Sequence, residues 1–193
     1  MKKLLTIVTI LFIGSMTVSA SDGVDLSSYK AEHLIVLEVD TGVSQGEIII
    51  VTRPAAAPKH VARIKELARE GFYEGLTFHR VIRDFMAQGG DPNGDGTGGS
   101  GQMIDSEFSA WPHLRGTVAM ARNAVDENSA DSQFYITYYR RADLDDNYTV
   151  WGRVIKGMNF VDDIPLGEPA EKPAKIVRMR VASDIADWHT RLQ

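Results

Sequence analysis

Short segments with the composition of β-strands follow one another in groups along this chain, and they do not alternate regularly with helical segments. Residues typical of strands dominate eight segments, which are 33–39, 46–52, 76–82, 85–90, 116–121, 132–138, 148–154 and 174–182. Helices are predicted over 58–70 and 156–164. This order argues against a parallel sheet with crossover helices. It predicts an all-β dominated fold, a closed eight-stranded antiparallel β-barrel capped by two α-helices.

The composition restricts the classes of function that are open to the chain. Its 193 residues, 44% of them hydrophobic, are enough for one domain with a sizeable core. A net charge of −5 argues against a broad basic face for nucleic acid. The absence of cysteine excludes disulfides, thiolate zinc sites and attachment of a lipid to an N-terminal cysteine. The histidines match no metal-ligand spacing, so neither a metal nor a cofactor is predicted.

The N-terminus has the pattern of a secretory signal peptide. Lys2 and Lys3 precede an apolar run, and small residues at 18–20 resemble a cleavage site. An uncleaved membrane anchor is the alternative, but the run is shorter than the ~20 residues that span a bilayer. We therefore predict a signal peptide at 1–20, a loose lead-in at 21–32, one domain at 33–185 and a C-terminal tail at 186–193. The expected location is the periplasm, or the medium if the source has a single membrane, with no membrane contact after cleavage.

Three blocks of sequence resemble the cyclophilins, a family of peptidyl-prolyl cis–trans isomerases. They are FYEGLTFHRVIRDFMAQGGDPNGDGTGG (72–99), GTVAMARNAVDENSADSQFYITY (116–138) and LDDNYTVWGRVIKGM (144–158). Their order and spacing fit the family, and the similarity extends over roughly 33–182, with features of the bacterial branch. The resemblance implies a cyclophilin-like barrel that rotates X–Pro peptide bonds and assists the folding of exported proteins.

The resemblance also assigns roles to individual residues. Arg80 matches the catalytic arginine, and Gln88 matches the glutamine that binds the substrate backbone, with Gln133 as its neighbour. Phe85, Met86, Tyr135 and Leu144 match the apolar pocket for the proline ring. Ala121 and Arg122 match positions whose backbone lines the groove, and Tyr148 stands where many members have histidine. Residues two apart on a strand share a face, so Met86 with Gln88, and Gln133 with Tyr135, each present one apolar and one polar group together.

Several positions depart from the family pattern. Asp143 replaces a tryptophan of many eukaryotic members, which predicts weak binding of cyclosporin. Tyr135 replaces the usual phenylalanine and is expected to add a hydroxyl near the pocket, and Arg122 replaces a common asparagine. His79 falls on the opposite face from Arg80 by strand parity, and we interpret it as a structural histidine.

The expected partners are proline-containing unfolded or extended polypeptides, bound by a monomer. Isomerisation makes and breaks no covalent bond, so a lone arginine beside an apolar pocket is sufficient chemistry. Two alternatives stay open at this point. One is a binding module on the same barrel that holds extended chains without catalysis, and the other is a surface or secreted adhesin built on the same fold.

Overall fold

The computed structural model describes residues 24–191, so the predicted signal peptide at 1–20 lies outside the described residues. In this range eight strands form one sheet. They are β1 (Leu34–Asp40), β2 (Gln45–Thr52), β3 (Arg80–Ile82), β4 (Met86–Gly89), β5 (Thr117–Met120), β6 (Phe134–Thr137), β7 (Val150–Lys156) and β8 (Lys175–Val181). The helices are α1 (Pro58–Arg69), α2 (Met158–Asp162) and α3 (Trp188–Arg191). No helix in this range is long and apolar enough to cross a membrane.

The sheet is antiparallel throughout and curls into an open half-barrel with the order β3-β4-β6-β5-β7-β2-β1-β8. Register shifts in three ladders, β1–β8, β2–β7 and β5–β7, increase its curl. The predicted eight antiparallel strands are confirmed, but the predicted closure is not, because β3 itself does not pair with β8. Only the segment before β3 contacts β8, through the isolated bridge Thr77–Lys175. The free edge of β3 is instead covered by a loop, where Val81 exchanges two backbone hydrogen bonds with Gly167.

The main core lies inside the curl and takes one face of most strands. Ile35, Leu37, Ile48 and Ile50 from β1 and β2 point into it and are fully buried. Both predicted helices are present and contribute to this core. Helix α1 begins with Pro58 at its first turn and buries Val61, Ile64, Leu67 and Ala68, and the chain leaves it through Gly71, whose φ of +72° suits glycine. The short α2 buries Val161.

A second apolar cluster lies on the outer face of β1 and corrects the prediction of a loose lead-in. Residues 24–33 contain two 3₁₀ turns, Leu26–Ser28 and Ala31–His33, and Leu26 is only 3% exposed. It packs with Leu34 and Val36 of β1, and Trp188 of α3 covers the same cluster from the C-terminal side. Because both faces of β1 are covered, its sequence is a nearly continuous apolar run. The boundaries of the signal peptide, domain and tail stay predictions.

Candidate active site

Strands β3, β4, β6 and β5 carry two parallel rows of side chains, one on each face of the sheet. The register places Arg80 opposite Gln88, Gln88 opposite Tyr135, and Tyr135 opposite Ala119. The neighbouring residue of each strand belongs to the second row, which consists of Val81, Ala87, Ile136 and Val118. All four lie in the main core. Because side chains alternate along each strand, burying the second row forces the first onto the opposite face. The strand pairing thus brings Arg80, Gln88 and Tyr135 side by side.

A cavity of about 100 Å³ opens on this face. It is lined by Arg80, Phe85, Met86, Gln88, Ala121, Arg122, Tyr135, Leu144 and Tyr148, which are all but one of the site residues nominated from sequence. Gln133 lines the adjoining, larger cavity, which shares Gln88, Ala121 and Arg122 with the first. The smaller cavity lies far below the ~300–1,000 Å³ typical of sites for drug-sized ligands. Its size therefore suits one small ring, while the roles of the individual residues stay predictions.

A chain of side-chain amides leads from the loop after β4 to the guanidinium of Arg80. Gln133 Nε2 donates to the backbone oxygens of Gly96 and Gly98 at 3.1 and 2.8 Å. Backbone oxygens only accept, so the oxygen of Gln133 faces Gln88, whose Nε2 donates to it at 2.9 Å. The oxygen of Gln88 then accepts from Arg80 Nη1 at 3.4 Å. The two backbone oxygens thus orient both amides, and a carboxamide oxygen faces the arginine.

Arginines and aromatic rings form the rim of the smaller cavity. The guanidinium of Arg141 lies 4.0 Å from the ring centre of Phe85, and that of Arg122 lies 4.8 Å from that of Tyr148. Arg122 was expected to act through its backbone, and its side chain also covers this wall. Asp143 accepts two hydrogen bonds from Arg141, at 2.9 and 2.7 Å. An ion pair between Asp143 and Arg141 therefore lies where many eukaryotic members have the tryptophan. Weak binding of cyclosporin stays a prediction.

Behind the pocket lies a buried histidine that sequence analysis did not assign to the site. His113 is fully buried, and its Nε2 lies 3.0 Å from the hydroxyl of Tyr135. Its Nδ1 lies 3.1 Å from Asp145 Oδ1, which also accepts from the His113 backbone N–H at 2.8 Å. The hydroxyl of Tyr135 therefore has a partner behind the ring and is not an open polar group in the pocket, which refines the prediction made for it.

Charge and burial together determine which atoms carry the protons in the hydrogen bonds between Asp145, His113 and Tyr135. Arg140, the largest cause, lowers the pKa of Asp145 to about 2, so this carboxylate is ionised and can only accept. Burial lowers the pKa of His113, against the opposing effect of Asp145, so the ring is neutral at pH 7. The neutral ring donates from Nδ1 to Asp145 and accepts at Nε2 from the hydroxyl of Tyr135. The one feature of the sequence that could have pointed to such a histidine is Tyr135, because a hydroxyl in an apolar pocket needs a hydrogen-bond partner.

His79, in contrast, contributes nothing to the wall of the cavity. It is buried, as the interpretation as a structural histidine expects, and its ring nitrogens have no hydrogen-bond partner among the described residues. Within residues 24–191, no group of three or more His, Asp or Glu side chains could hold a metal ion.

We expect Tyr135→Phe to lower the free energy of unfolding by about 1–3 kcal/mol, because it leaves Nε2 of His113 buried without a donor. Tyr139→Phe is the matched control, since Tyr139 is an exposed tyrosine on the same segment, and its loss should stay within about 0.5 kcal/mol. Denaturant unfolding measures both values. Equal stabilities of the two variants would show that the hydroxyl of Tyr135 does not bond His113 in solution.

Comparison with known proteins agrees with this geometry. The model of the cyclophilin type peptidyl-prolyl cis-trans isomerase family matches residues 36–183. A Brucella abortus protein named "Probable peptidyl-prolyl cis-trans isomerase" is 42% identical over 175 residues, which cover 82% of this chain and 87% of the relative. Peptidyl-prolyl cis-trans isomerase B of Bacillus subtilis is 42% identical over 115 residues, covering 60% and 80% of the two chains.

Solved structures give the same result. A cyclophilin from Hirschia baltica superposes with a TM-score of 0.74 at 28% identity, over 82% of this chain and 77% of the other. A Cryptosporidium parvum cyclophilin, solved in the presence of the dipeptide Ala-Pro, superposes with a TM-score of 0.70 at 26% identity, over 77% and 98% of the two chains. The resemblance found in the sequence is therefore confirmed, and the chain belongs to the cyclophilin family of peptidyl-prolyl cis–trans isomerases.

Proposed function

We propose that this isomerase binds an extended proline-containing chain across the two adjoining cavities, with the proline ring in the smaller one and Arg80 as the catalytic residue. The observation that carries the proposal is the convergence of one guanidinium, one oriented carboxamide and a small apolar cavity on a single face of the sheet. The dipeptide Ala-Pro present with the Cryptosporidium parvum cyclophilin supports proline-containing peptides as the substrate class.

The proposed mechanism follows from the electronic structure of the peptide bond. Rotation about the bond faces a barrier of ~18–20 kcal/mol because the amide is resonance-stabilised, and the uncatalysed event takes ~10–100 s. At the twisted transition state, the proline nitrogen recovers its lone pair and becomes a hydrogen-bond acceptor, which it is not in the planar ground state. A guanidinium aimed at that nitrogen binds the transition state more strongly than the substrate. Lowering the barrier by about 7 kcal/mol corresponds to about 10⁵-fold acceleration.

The other cavity residues hold the peptide while the bond rotates. Phe85, Met86 and Leu144 contact the ring through apolar surface, so that the preceding carbonyl moves while the ring stays in place. Gln88 uses one amide hydrogen for Gln133, which leaves the second for a carbonyl of the substrate. No proton is transferred in this mechanism, so the side chains are required only to keep their positions.

The first test is removal of the guanidinium. We expect Arg80→Ala to lower kcat/KM by ~10²–10³-fold, the usual loss for one preorganised donor. Arg83→Ala is the matched control, because Arg83 is an exposed arginine three residues further along and lies outside both cavities; it should retain the activity of the parent protein. A proline-peptide isomerisation assay on residues 21–193 gives both values, and an active Arg80→Ala protein would rule out the mechanism.

Burial also shifts the pKa values of several histidines and of Tyr135, which determines how the enzyme responds to pH. It lowers the pKa values of His60, His79 and His113, and it is the largest cause in each case. Burial raises the pKa of Tyr135 well above its ordinary value of ~10. The other two histidines of the chain line no part of the smaller cavity. The cavity wall thus contains no group that changes charge near neutral pH.

We therefore expect kcat/KM per folded molecule to be nearly flat from about pH 5.5 to 8.5. The free energy of unfolding should behave differently. The folded-state pKa of each buried histidine lies below its unfolded value of ~6.5, so the unfolded chain binds more protons below that pH, and stability falls as pH drops. Parallel pH series of activity and unfolding test this. An inflection of kcat/KM near pH 6–7 at constant folded fraction would indicate a histidine in the mechanism.

We further propose that the enzyme acts as a monomer on exported proteins, after cleavage of the signal peptide between Ala20 and Ser21. The charged start, short apolar run and small residues at the cleavage site support export and cleavage. In the source cell the mature protein should begin at Ser21 and be found outside the cytoplasm, whereas deletion of 2–20 should retain it inside. Mass spectrometry and cell fractionation measure this, and identical locations for both forms would contradict export.

A further inference from the structure

A carboxylate that the sequence analysis did not assign contacts the proposed catalytic arginine. Glu168 Oε2 accepts from Arg80 Nε at 2.8 Å. The backbone places it there, because Val81 exchanges two hydrogen bonds with Gly167, at 2.8 and 3.0 Å. In an antiparallel bridge the flanking residues lie opposite each other, so the residue after Gly167 faces the residue before Val81. The contact between Glu168 and Arg80 thus follows from the loop that covers the free edge of β3.

The guanidinium of Arg80 is therefore held at two positions. Glu168 binds Nε on one side, and the oriented amide oxygen of Gln88 accepts from Nη1 on the other. No acceptor for Nη2 is found among residues 24–191, and Arg80 lines the smaller cavity. A planar group held by two of its nitrogens cannot rotate freely about its terminal bonds. Its unoccupied nitrogen then keeps a constant direction relative to the cavity.

We propose that Glu168 is a positioning residue that orients Arg80 for the transition state, an inference that rests on the proposed catalytic role of Arg80. The chemical reason is preorganisation. A flexible arginine loses side-chain freedom when it binds the twisted peptide, whereas an arginine already held by Glu168 and Gln88 does not. The benefit arises only at the transition state, so it belongs to kcat and leaves KM nearly unchanged.

Charge alone does not account for the contact. The carboxylate also offsets part of the positive charge of Arg80, which by itself would weaken the arginine as a donor. Both side chains are substantially exposed, 39% for Arg80 and 54% for Glu168, so water and salt reduce this electrostatic effect. The orienting effect of Glu168 depends less on the dielectric constant than its effect on the charge of Arg80. Orientation therefore decides whether the carboxylate raises or lowers activity. We expect loss of Glu168 to reduce activity.

The test compares Glu168→Ala and Glu168→Gln with the same changes at Glu171, an exposed glutamate in the same loop that makes no contact with Arg80. With an uncharged proline peptide, Glu168→Ala should lower kcat by roughly 3–10-fold with KM within about twofold, since a half-exposed pair orients less firmly than a buried one. Glu168→Gln, which keeps an acceptor but no charge, should fall between it and the parent protein. Both Glu171 variants should match the parent.

The dependence of kcat on salt distinguishes a positioning role of Glu168 from a purely structural one. Raising ionic strength from about 20 to 500 mM should lower kcat of the parent toward that of Glu168→Gln, and leave kcat of Glu168→Ala almost constant. In an Arg80→Ala background, Glu168→Ala should have no further effect on kcat. The thermal midpoint should be the same for all Glu168 and Glu171 variants.

The outcomes separate this inference from the proposed role of Arg80. If Arg80→Ala stays active, the catalytic assignment of Arg80 fails. If Arg80→Ala loses activity while Glu168→Ala keeps that of the parent, only the positioning role of Glu168 is overturned. It is also overturned if Glu168→Ala raises kcat, because the carboxylate would then restrain the arginine, or if the variant changes KM alone, because Glu168 would then contact the peptide.

Discussion

The register between β3, β4 and β6 is the constraint on which the site depends. It aligns Arg80, Gln88 and Tyr135 on one face of the sheet, and it buries Val81, Ala87 and Ile136 on the other. A slip of one residue in either ladder would exchange the two faces of a strand, exposing core residues and burying a guanidinium. The energy that maintains this row is therefore mainly hydrophobic burial on the opposite side of the same strands.

A reaction without proton transfer depends on where the charged, polar and apolar side chains are held, because none of them has to change its protonation state. The polar contacts around the cavity hold several side chains in this way. Backbone oxygens of the loop after β4 orient Gln133 and Gln88, and an ionised Asp145 orients His113, which in turn binds the hydroxyl of Tyr135. Each contact starts from a group with only one possible role as donor or acceptor, so each chain of bonds has a single consistent direction. Polar chains with one consistent direction hold rings and amides in one arrangement.

Much of the site could be predicted because its residues are close together in sequence. Arg80, Phe85, Met86 and Gln88 lie within nine positions, and Gln133 and Tyr135 lie two apart. The resemblance to the cyclophilins therefore identifies them as compact motifs, and strand alternation places the members of each pair two apart on one face. His113, Asp145 and Glu168 could not be found in that way. They reach the site over 22, 32 and 88 positions of sequence, counted to their respective partners Tyr135, His113 and Arg80. No local pattern marks such a pair, since each residue alone is typical of an ordinary loop.

The sequence by itself determined the strand-rich architecture, the two predicted helices and the family. Strand alternation, helical spacing and the three blocks that resemble the cyclophilins are all local properties of the chain. Only the tertiary structure decided how the sheet ends and what lies around the site. It left the barrel open, since a loop pairs with β3 where β8 would have closed the ladder, and the same loop brings Glu168 to Arg80. It also packed Leu26 against the outer face of β1, where a polar lead-in had suggested a loose segment. In each case the deciding interaction joins residues that are distant in sequence, and its strength depends on burial and backbone pairing that only the folded chain defines.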